Sequence, residues 1–322
     1  MNTPENIVLH NQWLDLCQRL GAKNPEVVWE WLEAAYNESH RHYHTLNHIA
    51  HCLDELHSLE KKYPPEVELA IWFHDIVYDT MSHDNEEKSA DIVTNAVGVM
   101  QLPNGFLSIM KPMILESKHS GNKHCTEETN VFLDVDLSIL GQSSAAFEEY
   151  EQQIRAEYAW VPFLDYCAAR INVLKRFLDR PTIYKSMEIR NKYEQQAREN
   201  IRNSIHTLST KRYLGLLEKC NNETSFYSDL SMVKKNFNYS LMLTMGKDIV
   251  PVIFEQLQKD TSWVHILLLT DLLGPIDIPL EAQGRIDMIA QLWLEQVPAA
   301  IPASVAQAMV DAEQLLKKHS GG

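Results

Sequence analysis

The amino-acid sequence predicts an all-α protein. Apolar residues recur at spacings of three and four along most of its 322 residues, whereas the alternation that marks half-buried strands is nearly absent. Hydrophobic residues make up 45% of the chain and charged residues 23%, which is typical of a folded globular protein. A chain of this length accommodates one large domain or two ordinary ones.

Helices follow one another along the first two thirds of the chain. Paired prolines begin one helix at Pro64, which is predicted to run to Asp79, and Gly141 closes another. The stretch LPNG separates two further helices. The predicted helices of this block start, in order, at Val27, Ile49, Pro64, Ser82, Phe106, Glu128, Ser143, Pro162 and Lys192.

A second, smaller helical block follows a change in composition. The apolar pattern lapses near Ser209, and the stretch EKCNNETSFYSD has the polar, turn-prone composition of a linker. Helical periodicity then resumes. We therefore predict a domain over residues 1–208, a linker over 209–229 and a helical accessory domain over 230–322.

The charge balance and the cysteines limit the classes of partner. Asp and Glu number 44 against 29 Lys and Arg, and the net charge of -15 argues against general nucleic-acid binding or an anionic membrane surface. No apolar run reaches the roughly 18 to 20 residues that span a bilayer, and no secretory signal is visible. Five dispersed cysteines without a C-x-x-C pair favour reduced thiols, so we expect a cytoplasmic protein.

Three short stretches carry the residue types of a metal centre. YHTLNHI places His44 and His48 four residues apart, and FHDIVYD contains an adjacent His-Asp pair at 74–75. LDVDLSIL supplies a further acid, Asp136 or alternatively Asp134. Divalent metals take imidazole nitrogens and carboxylate oxygens from several segments and keep positions open for water and substrate. Because ionisable groups in an apolar segment are costly unless paired or metal-bound, the His-Asp pair favours a ligand role.

The order His, His-Asp, Asp resembles the HD superfamily of metal-dependent phosphohydrolases, which are all-helical. The stretches RHYHTLNHI, WFHDIVYD, DNEEKSA, FLDVDLSILG and YEQQARENI are together similar to a bacterial group of predicted HD-superfamily phosphohydrolases. The resemblance covers roughly two thirds of the chain. It implies a phosphodiesterase-like helical bundle, followed here by a smaller helical C-terminal domain of unknown function.

The resemblance implies roles for individual residues. YHTLNH is similar to the Y-H-N-x-x-H stretch of cyclic-nucleotide phosphodiesterases, in which the second His binds metal and the first is the acid toward the leaving oxygen. On this mapping His44 is the catalytic acid. The implied metal ligands are His48, His74, Asp75 and Asp136.

A second mapping stays open for the first histidines. Simpler HD proteins start with R-x-x-H-[ST], which would make His44 the metal ligand, following Arg41. We prefer His48 as the ligand. Arg41 is then a candidate substrate-binding residue.

Further candidates come from the same resemblance and from residue chemistry. HDIVYDT resembles the HD-x-x-E-D-T stretch of guanosine-tetraphosphate hydrolases; Tyr78 replaces its Glu, and Asp79 is kept as a candidate for orienting a water or a ligand. His119 lies where some HD proteins place a ligand to a second metal. Arg155 and Arg170 follow Asp136 on long helices and are candidate phosphate contacts, because Arg binds phosphate bidentately.

The expected function is metal-dependent hydrolysis of a phosphoester or phosphoanhydride in a small molecule, which we expect to be a nucleotide. The cofactor would be a divalent ion, with Mn, Co, Ni, Mg, Fe and Zn all compatible with the residues. The alternative is a non-catalytic regulatory protein that keeps a metal-stabilised HD scaffold and binds a protein partner through its C-terminal domain. A third possibility, oxygenase chemistry, generally uses two irons and more histidines.

Overall fold

The described secondary structure is entirely helical. The computed structural model describes residues 4–118 and 126–296, and within these ranges it contains fifteen α-helices, three short 3-10 helices and no β-strand. The all-α prediction is therefore confirmed for this part of the chain. None of the helices in these ranges has the length and apolar content needed to cross a membrane.

The helices are numbered in chain order, and 3-10 helices lie at Leu137–Gly141, Gly246–Ile249 and Leu280–Ala282. Their bounds are α1 Pro4–Leu20, α2 Pro25–Tyr36, α3 Leu46–Ser58, α4 Pro65–Phe73, α5 Asn85–Val99, α6 Gly105–Glu116, α7 Glu127–Asp136, α8 Ser144–Glu157, α9 Phe163–Leu178, α10 Met187–Thr224, α11 Leu230–Lys234, α12 Phe237–Thr244, α13 Val250–Lys259, α14 Trp263–Leu273 and α15 Ile286–Glu295.

The chain divides into two compact units. The first contains residues 1–162 and 172–204, and the second contains residues 163–171 and 205–322. All three stretches singled out for a metal centre fall in the first unit.

The predicted linker over 209–229 is helical as far as Thr224, because α10 is a single helix of 38 residues. Its last turns bury Tyr213, Leu216 and Cys220 in the hydrophobic core of the second unit. These residues keep the helical spacing of three and four through a stretch in which polar residues such as Lys219 and Asn221 are exposed. The polar composition of residues 209–224 therefore did not indicate that an amphipathic helix continues through them.

Helix α4 is the most buried helix of the first unit. Every residue from Val67 to Phe73 is buried. Trp72 packs edge to face against Trp13 of α1 and Trp29 of α2, with ring centroids 5.5 and 6.1 Å apart. Helix α1 is absent from the predicted helices, although its apolar residues have helical spacing. Because helix α4 is buried on all sides, apolar residues occur all round it rather than on one face.

Helix α4 ends at Phe73, well before its predicted end. The Nδ1 atom of His74 lies 2.8 Å from the carbonyl oxygen of Ile71, an acceptor that a continuing helix would use itself. Beyond the helix end, the guanidinium of Arg41 donates to the carbonyl oxygens of residues 75 and 76, at 2.6 and 3.0 Å. Side chains thus take over the hydrogen bonds of the helix end. The His-Asp pair therefore lies in a turn and is free of helical side-chain spacing.

Helical structure in the second unit is interrupted around Gly246. Helix α12 ends at Thr244, and Gly246 adopts a left-handed φ of 68° before α13 begins at Val250. Glycine tolerates this conformation because it has no Cβ. The apolar faces on both sides of the break join one core.

Replacement of Gly141 by Ala is expected to destabilise the protein by about 1–3 kcal/mol. A Cβ at this position would clash with the Cβ of Tyr193 and lie 2.9 Å from the Tyr193 carbonyl oxygen. Gly98 is the matched control, since it lies inside α5 with no atom within 4 Å of an added Cβ. Gly98→Ala should stabilise by roughly 0.5–1 kcal/mol. Urea unfolding of both variants measures the contrast, and equal effects would contradict the packing at Gly141.

Candidate metal centre

Two imidazoles and two carboxylates meet where α3, the end of α4 and the end of α7 come together. The Nε2 atom of His48 lies 3.1 Å from Nε2 of His74, 3.6 Å from Oδ2 of Asp75 and 3.2 Å from Oδ1 of Asp136. The Nε2 atom of His74 lies 3.0 Å from Asp75 Oδ2 and 3.4 Å from Asp136 Oδ1. The structure thus brings together the four residues predicted as metal ligands.

The spacing of these atoms fits a metal ion. Bonds of about 2.0–2.2 Å to nitrogen and oxygen place neighbouring ligand atoms roughly 2.8–3.6 Å apart in octahedral or tetrahedral shells. The five separations above run from 3.0 to 3.6 Å. The donor types, imidazole and carboxylate, suit a hard or borderline divalent ion. The cluster could therefore hold a metal ion.

The cluster combines two buried imidazoles with two partly exposed carboxylates. The side chains of His48 and His74 are each 1% exposed, whereas those of Asp75 and Asp136 are 20% and 16% exposed. The buried nitrogens would fix the ion, and the partly exposed carboxylates border the side that a substrate could reach.

The helix ends orient the ligand atoms. Thr45 caps the start of α3 and accepts a hydrogen bond from the backbone N–H of Asn47, which places His48 in the first turn. His74 donates from Nδ1 to the carbonyl oxygen of Ile71, which turns its Nε2 atom toward the carboxylates. Hydrogen bonding of the second ring nitrogen is the usual way in which proteins orient a metal-binding histidine.

The surroundings shift the pKa values of the two histidines in opposite directions. Burial lowers the pKa of His48, although a hydrogen bond donated to Asp136 opposes this shift. Burial also disfavours the charged form of His74, but the carboxylates of Asp75 and Asp136 outweigh it and raise its pKa well above the usual value. An imidazolium at His74 thus balances part of the negative charge. A bound cation would displace this proton, so metal binding should release protons.

His44 lies beside the cluster but outside helix α3. It precedes the cap residue Thr45, so the four-residue spacing of His44 and His48 does not place them on one face of a helix. Its Nε2 atom lies 4.0 Å from Asp75 Oδ2, and its Nδ1 atom donates to Glu157 Oε2 at 2.8 Å. The ring therefore presents one nitrogen to the cluster and the other to a buried acid.

Glu157 organises the loop that carries His44. Its Oε1 atom accepts the backbone N–H groups of residues 42, 43 and 44 at 2.8, 2.8 and 3.0 Å. Its side chain is fully buried, which raises the pKa, but the bonds from His44 and the backbone prevail and lower it to about 2. The sequence reading missed this residue. Its signal is an acid on the apolar stripe of α8, three residues after buried Ile154.

Tyr78 completes this arrangement. Its hydroxyl donates to Glu157 Oε2 at 2.8 Å, and its ring stacks on the His44 ring with centroids 4.0 Å apart. The residue that replaces the Glu of the HD-x-x-E-D-T pattern therefore holds the orientation of His44. Glu157 and Tyr78 together fix both the position and the Nδ1–H tautomer of this histidine.

Arg41 has a different role from the predicted substrate contact. Its side chain is 0% exposed, and its guanidinium donates to the carbonyl oxygens of His44, Asp75 and Ile76 and to the Glu38 carboxylate. It therefore joins the loop of His44 to the turn that carries the His-Asp pair. Arg41 is therefore a buried positioning residue.

The remaining predicted site residues have other surroundings or lie outside the described residues. Asp79 is exposed, and its Oδ1 atom accepts the backbone N–H of Met81 in a turn before α5. Arg155 donates to two backbone carbonyl oxygens at the end of α8. Arg170 belongs to the second compact unit. His119 lies outside the described residues.

The structure separates the two acids of LDVD. Both carboxylate oxygens of Asp134 accept hydrogen bonds from the backbone N–H groups of Lys185 and Ser186, and Asp134 is only 2% exposed. Asp136 instead faces the two histidines. Two residues along the end of a helix thus point to opposite sides, which favours Asp136 as the ligand.

Cys52 is a second residue that the sequence reading missed. Its Sγ atom lies 3.7 and 3.8 Å from the two ring nitrogens of His48, one helical turn earlier on α3. Burial raises the pKa of this thiol well above its usual range. His48, Cys52 and Asp136 form one group of potential ligands, which shares His48 with the group of His48, His74 and Asp75.

Comparison of the chain with protein-family models, with curated proteins and with solved structures finds no match.

Asp136→Asn should weaken divalent-metal binding by more than about 100-fold, because it removes the negative charge of a ligand rather than a group that orients one. Asp134→Asn should keep the metal affinity but lower the free energy of unfolding by roughly 1–3 kcal/mol, since a buried anchor of two backbone N–H groups is weakened. Metal titration and chemical unfolding of both variants test this pair. Metal loss in Asp134→Asn alone would reverse the assignment.

Glu157→Gln should remove part of the acid sensitivity of the metal-free protein. The folded-state pKa of Glu157 is lowered from 4.5 to about 2, so its stabilising effect is present above pH 4.5 and is lost as the pH falls toward 2. Between pH 6 and pH 3 the stability difference between wild type and variant should shrink by about 2 kcal/mol. Denaturant unfolding across this range, with chelator present, measures it. A difference that stays constant with pH would contradict the ionised, buried carboxylate.

Proposed function

We propose that this protein is a metal-dependent phosphohydrolase that acts on a small phosphorylated molecule, and that a nucleotide is its substrate class. The observation that carries the proposal is the pairing of two features. The Nε2 atoms of His48 and His74 lie at metal-like distances from each other and from carboxylate oxygens of Asp75 and Asp136, and a histidine held by a buried carboxylate lies beside them. The resemblance of the motifs to HD phosphohydrolases supports the same reading.

The metal would be held by His48, His74, Asp75 and Asp136. A bound divalent ion supplies Lewis acidity at the phosphoryl group and lowers the pKa of water toward neutrality. Imidazole and carboxylate donors suit Mn, Fe, Co, Ni and Zn, and the carboxylates also suit Mg.

His44 is the proposed proton donor. Glu157 holds its Nδ1–H, so the proton available for transfer sits on Nε2, the atom that faces the cluster. When water adds to phosphorus and the ester or anhydride bond breaks, the leaving oxygen would take this proton. After the transfer, the neutral ring keeps its Nδ1–H hydrogen bond to the carboxylate of Glu157. Tyr78 and Glu157 hold the His44 ring in place before the reaction. Less entropy is then lost in orienting the ring during the reaction.

The proposal does not require phosphate recognition by the two predicted arginines of the first unit. Arg41 and Arg155 donate to backbone carbonyl oxygens. The net charge of -15 disfavours long polyanionic substrates, and a small substrate needs only the local cation and a few donors.

The test is phosphate release by the purified protein from a panel of nucleotides, with Mn, Co, Ni or Mg added and metal content assayed in parallel. Wild type should bind metal and release phosphate, and Asp75→Ala should do neither. Absence of both metal binding and hydrolysis in the wild type would refute the proposal.

His44→Ala should lower kcat by about 10²–10⁴-fold while leaving metal content unchanged, because it removes a proton donor. The loss should be largest for alkyl phosphoesters and small for nitrophenyl phosphates, whose leaving oxygen needs no proton. His48→Ala is the matched variant and should lose the metal. Metal loss in His44→Ala, with retention in His48→Ala, would instead support the mapping in which His44 is the ligand.

The second candidate function is a non-catalytic regulatory protein. Large apolar side chains are exposed in the second unit, with Phe226 at 93%, Leu280 at 84% and Phe237 at 72%. Exposed apolar groups of this size favour partner binding when they form one patch. Metal binding without phosphate release in the wild type would favour this candidate over the enzyme.

A further inference from the structure

Helix α3 holds the chain segment that follows Asp136 through a second polar contact. The Nε2 atom of His51 lies 2.8 Å from the hydroxyl oxygen of Ser138, within hydrogen-bond distance. His51 follows His48 by three residues, so the two imidazoles lie on the same side of α3, one turn apart. Ser138 follows Asp136 by two residues, in the 3-10 helix after α7. The contact of His51 with Ser138 therefore lies next to that of His48 with Asp136, in the same order along both segments.

The hydrogen bond between His51 and Ser138 contributes direction more than stability. Ser138 is fully buried, and its hydroxyl is paired with the imidazole of His51. Two apolar side chains of similar shape could fill this space at almost the same stability, because a neutral hydrogen bond adds little net free energy to folding. A hydrogen bond is directional, however, so it fixes which residue of the 3-10 helix faces which turn of α3.

The carboxylate of Asp136 needs such positioning because the helix changes form there. Asp136 is the last residue of α7, and the chain continues as a 3-10 helix from residue 137. Helix ends lack part of their backbone hydrogen bonds and fray more readily than the interior. The residues two positions away on either side are both anchored, Asp134 by backbone N–H groups and Ser138 by His51. Asp136 lies between these anchors and faces His48.

We propose that His51 and Ser138 are a positioning pair for the metal centre. Their hydrogen bond sets the register of the 3-10 helix on α3, and it thereby holds the Asp136 carboxylate beside His48, where the ion would bind. The two residues act through these ligands rather than as ligands. The inference rests on the metal site of the proposed function. Residues that orient metal ligands typically change metal affinity by about 10–100-fold when they are replaced.

The same interface offers a matched control one turn further along α3. The Oε1 atom of Glu55 accepts hydrogen bonds from the Tyr193 hydroxyl at 2.6 Å and from the Gln142 side-chain amide at 3.1 Å. Tyr193→Phe removes a hydroxyl from this interface, as Ser138→Ala does, but the lost group is not next to a ligand residue. The comparison therefore separates positioning of the ligands from general loosening of the interface.

The experiment measures Co²⁺ binding to the full-length protein by calorimetry and by the visible absorption of the bound ion, which depends on the number and arrangement of its ligands. Thermal unfolding is followed in parallel with chelator present. Ser138→Ala should weaken Co²⁺ binding by about 10–100-fold and change the absorption, because Asp136 is no longer held in place. Tyr193→Phe should lower the metal-free Tm at least as much as Ser138→Ala but leave the Co²⁺ affinity within about twofold of wild type.

Two variants of His51 provide a rescue test. The side-chain amide nitrogen of Gln lies near the position of an imidazole Nε2 atom, so His51→Gln keeps a donor toward Ser138. His51→Leu keeps the bulk but has no polar atom. The Co²⁺ affinity and absorption of His51→Gln should be close to those of wild type, whereas His51→Leu should match Ser138→Ala.

A Co²⁺ affinity within about twofold of wild type in Ser138→Ala would overturn the proposal, since orienting residues have larger effects. Equal weakening in Tyr193→Phe would overturn it as well, because any loosening of the interface would then be enough. So would equal losses in His51→Gln and His51→Leu.

The proposed function is tested separately. Failure of the wild type to bind Co²⁺ would refute the metal site and the positioning pair together. Co²⁺ binding without phosphate release would count against the phosphohydrolase alone, and the Co²⁺ affinity of Ser138→Ala would still decide the role of the pair.

Discussion

The burial of ionisable side chains where α3, α4 and α7 meet is the constraint on which the first unit depends. Two imidazoles and two carboxylates share a space a few ångströms wide, with the imidazoles almost wholly removed from water. Such groups are costly to bury unless their charges are balanced and their donors paired. In the metal-free protein a proton on His74 supplies part of this balance. A divalent cation would supply more, so the stability of this core and its affinity for metal are linked.

Two buried side chains of opposite charge hold the loop that faces this cluster. Arg41 binds carbonyl oxygens on both sides of the site, and Glu157 binds three successive backbone N–H groups of the same loop. Arginine donates to acceptors and the carboxylate accepts from donors, so together they satisfy backbone groups that neither helix nor strand could pair. His44 is therefore fixed by main-chain contacts at its own loop. This explains why a residue outside the helix is nonetheless well oriented.

The sequence predicted the helical class, most helices and the four ligand-type residues, because apolar spacing and costly polar residues leave local signals. It did not reveal α1, the end of α4 or the continuation of α10 to Thr224. Those features depend on contacts between segments distant in sequence, such as Arg41 with the 75–76 turn. Glu157 is 113 residues from His44, so no local pattern joins them. The order of the motifs could suggest which residues meet. Only the three-dimensional contacts show that Asp134 binds backbone N–H groups and that Arg41 binds backbone carbonyl oxygens.

The position of the donors at helix ends has an electrostatic consequence. His74 follows the last residue of α4, and Asp136 is the last residue of α7. The carboxyl ends of helices carry partial negative charge, which favours an imidazolium or a metal ion at these positions. Glu157, in contrast, is bound by N–H groups just before α3 begins, where an anion is favoured. The backbone thus separates a cation-binding region from an anion-binding one, and His44 lies between them with one nitrogen toward each. That asymmetry follows from where the helices start and stop, and it would persist whichever divalent ion the site takes.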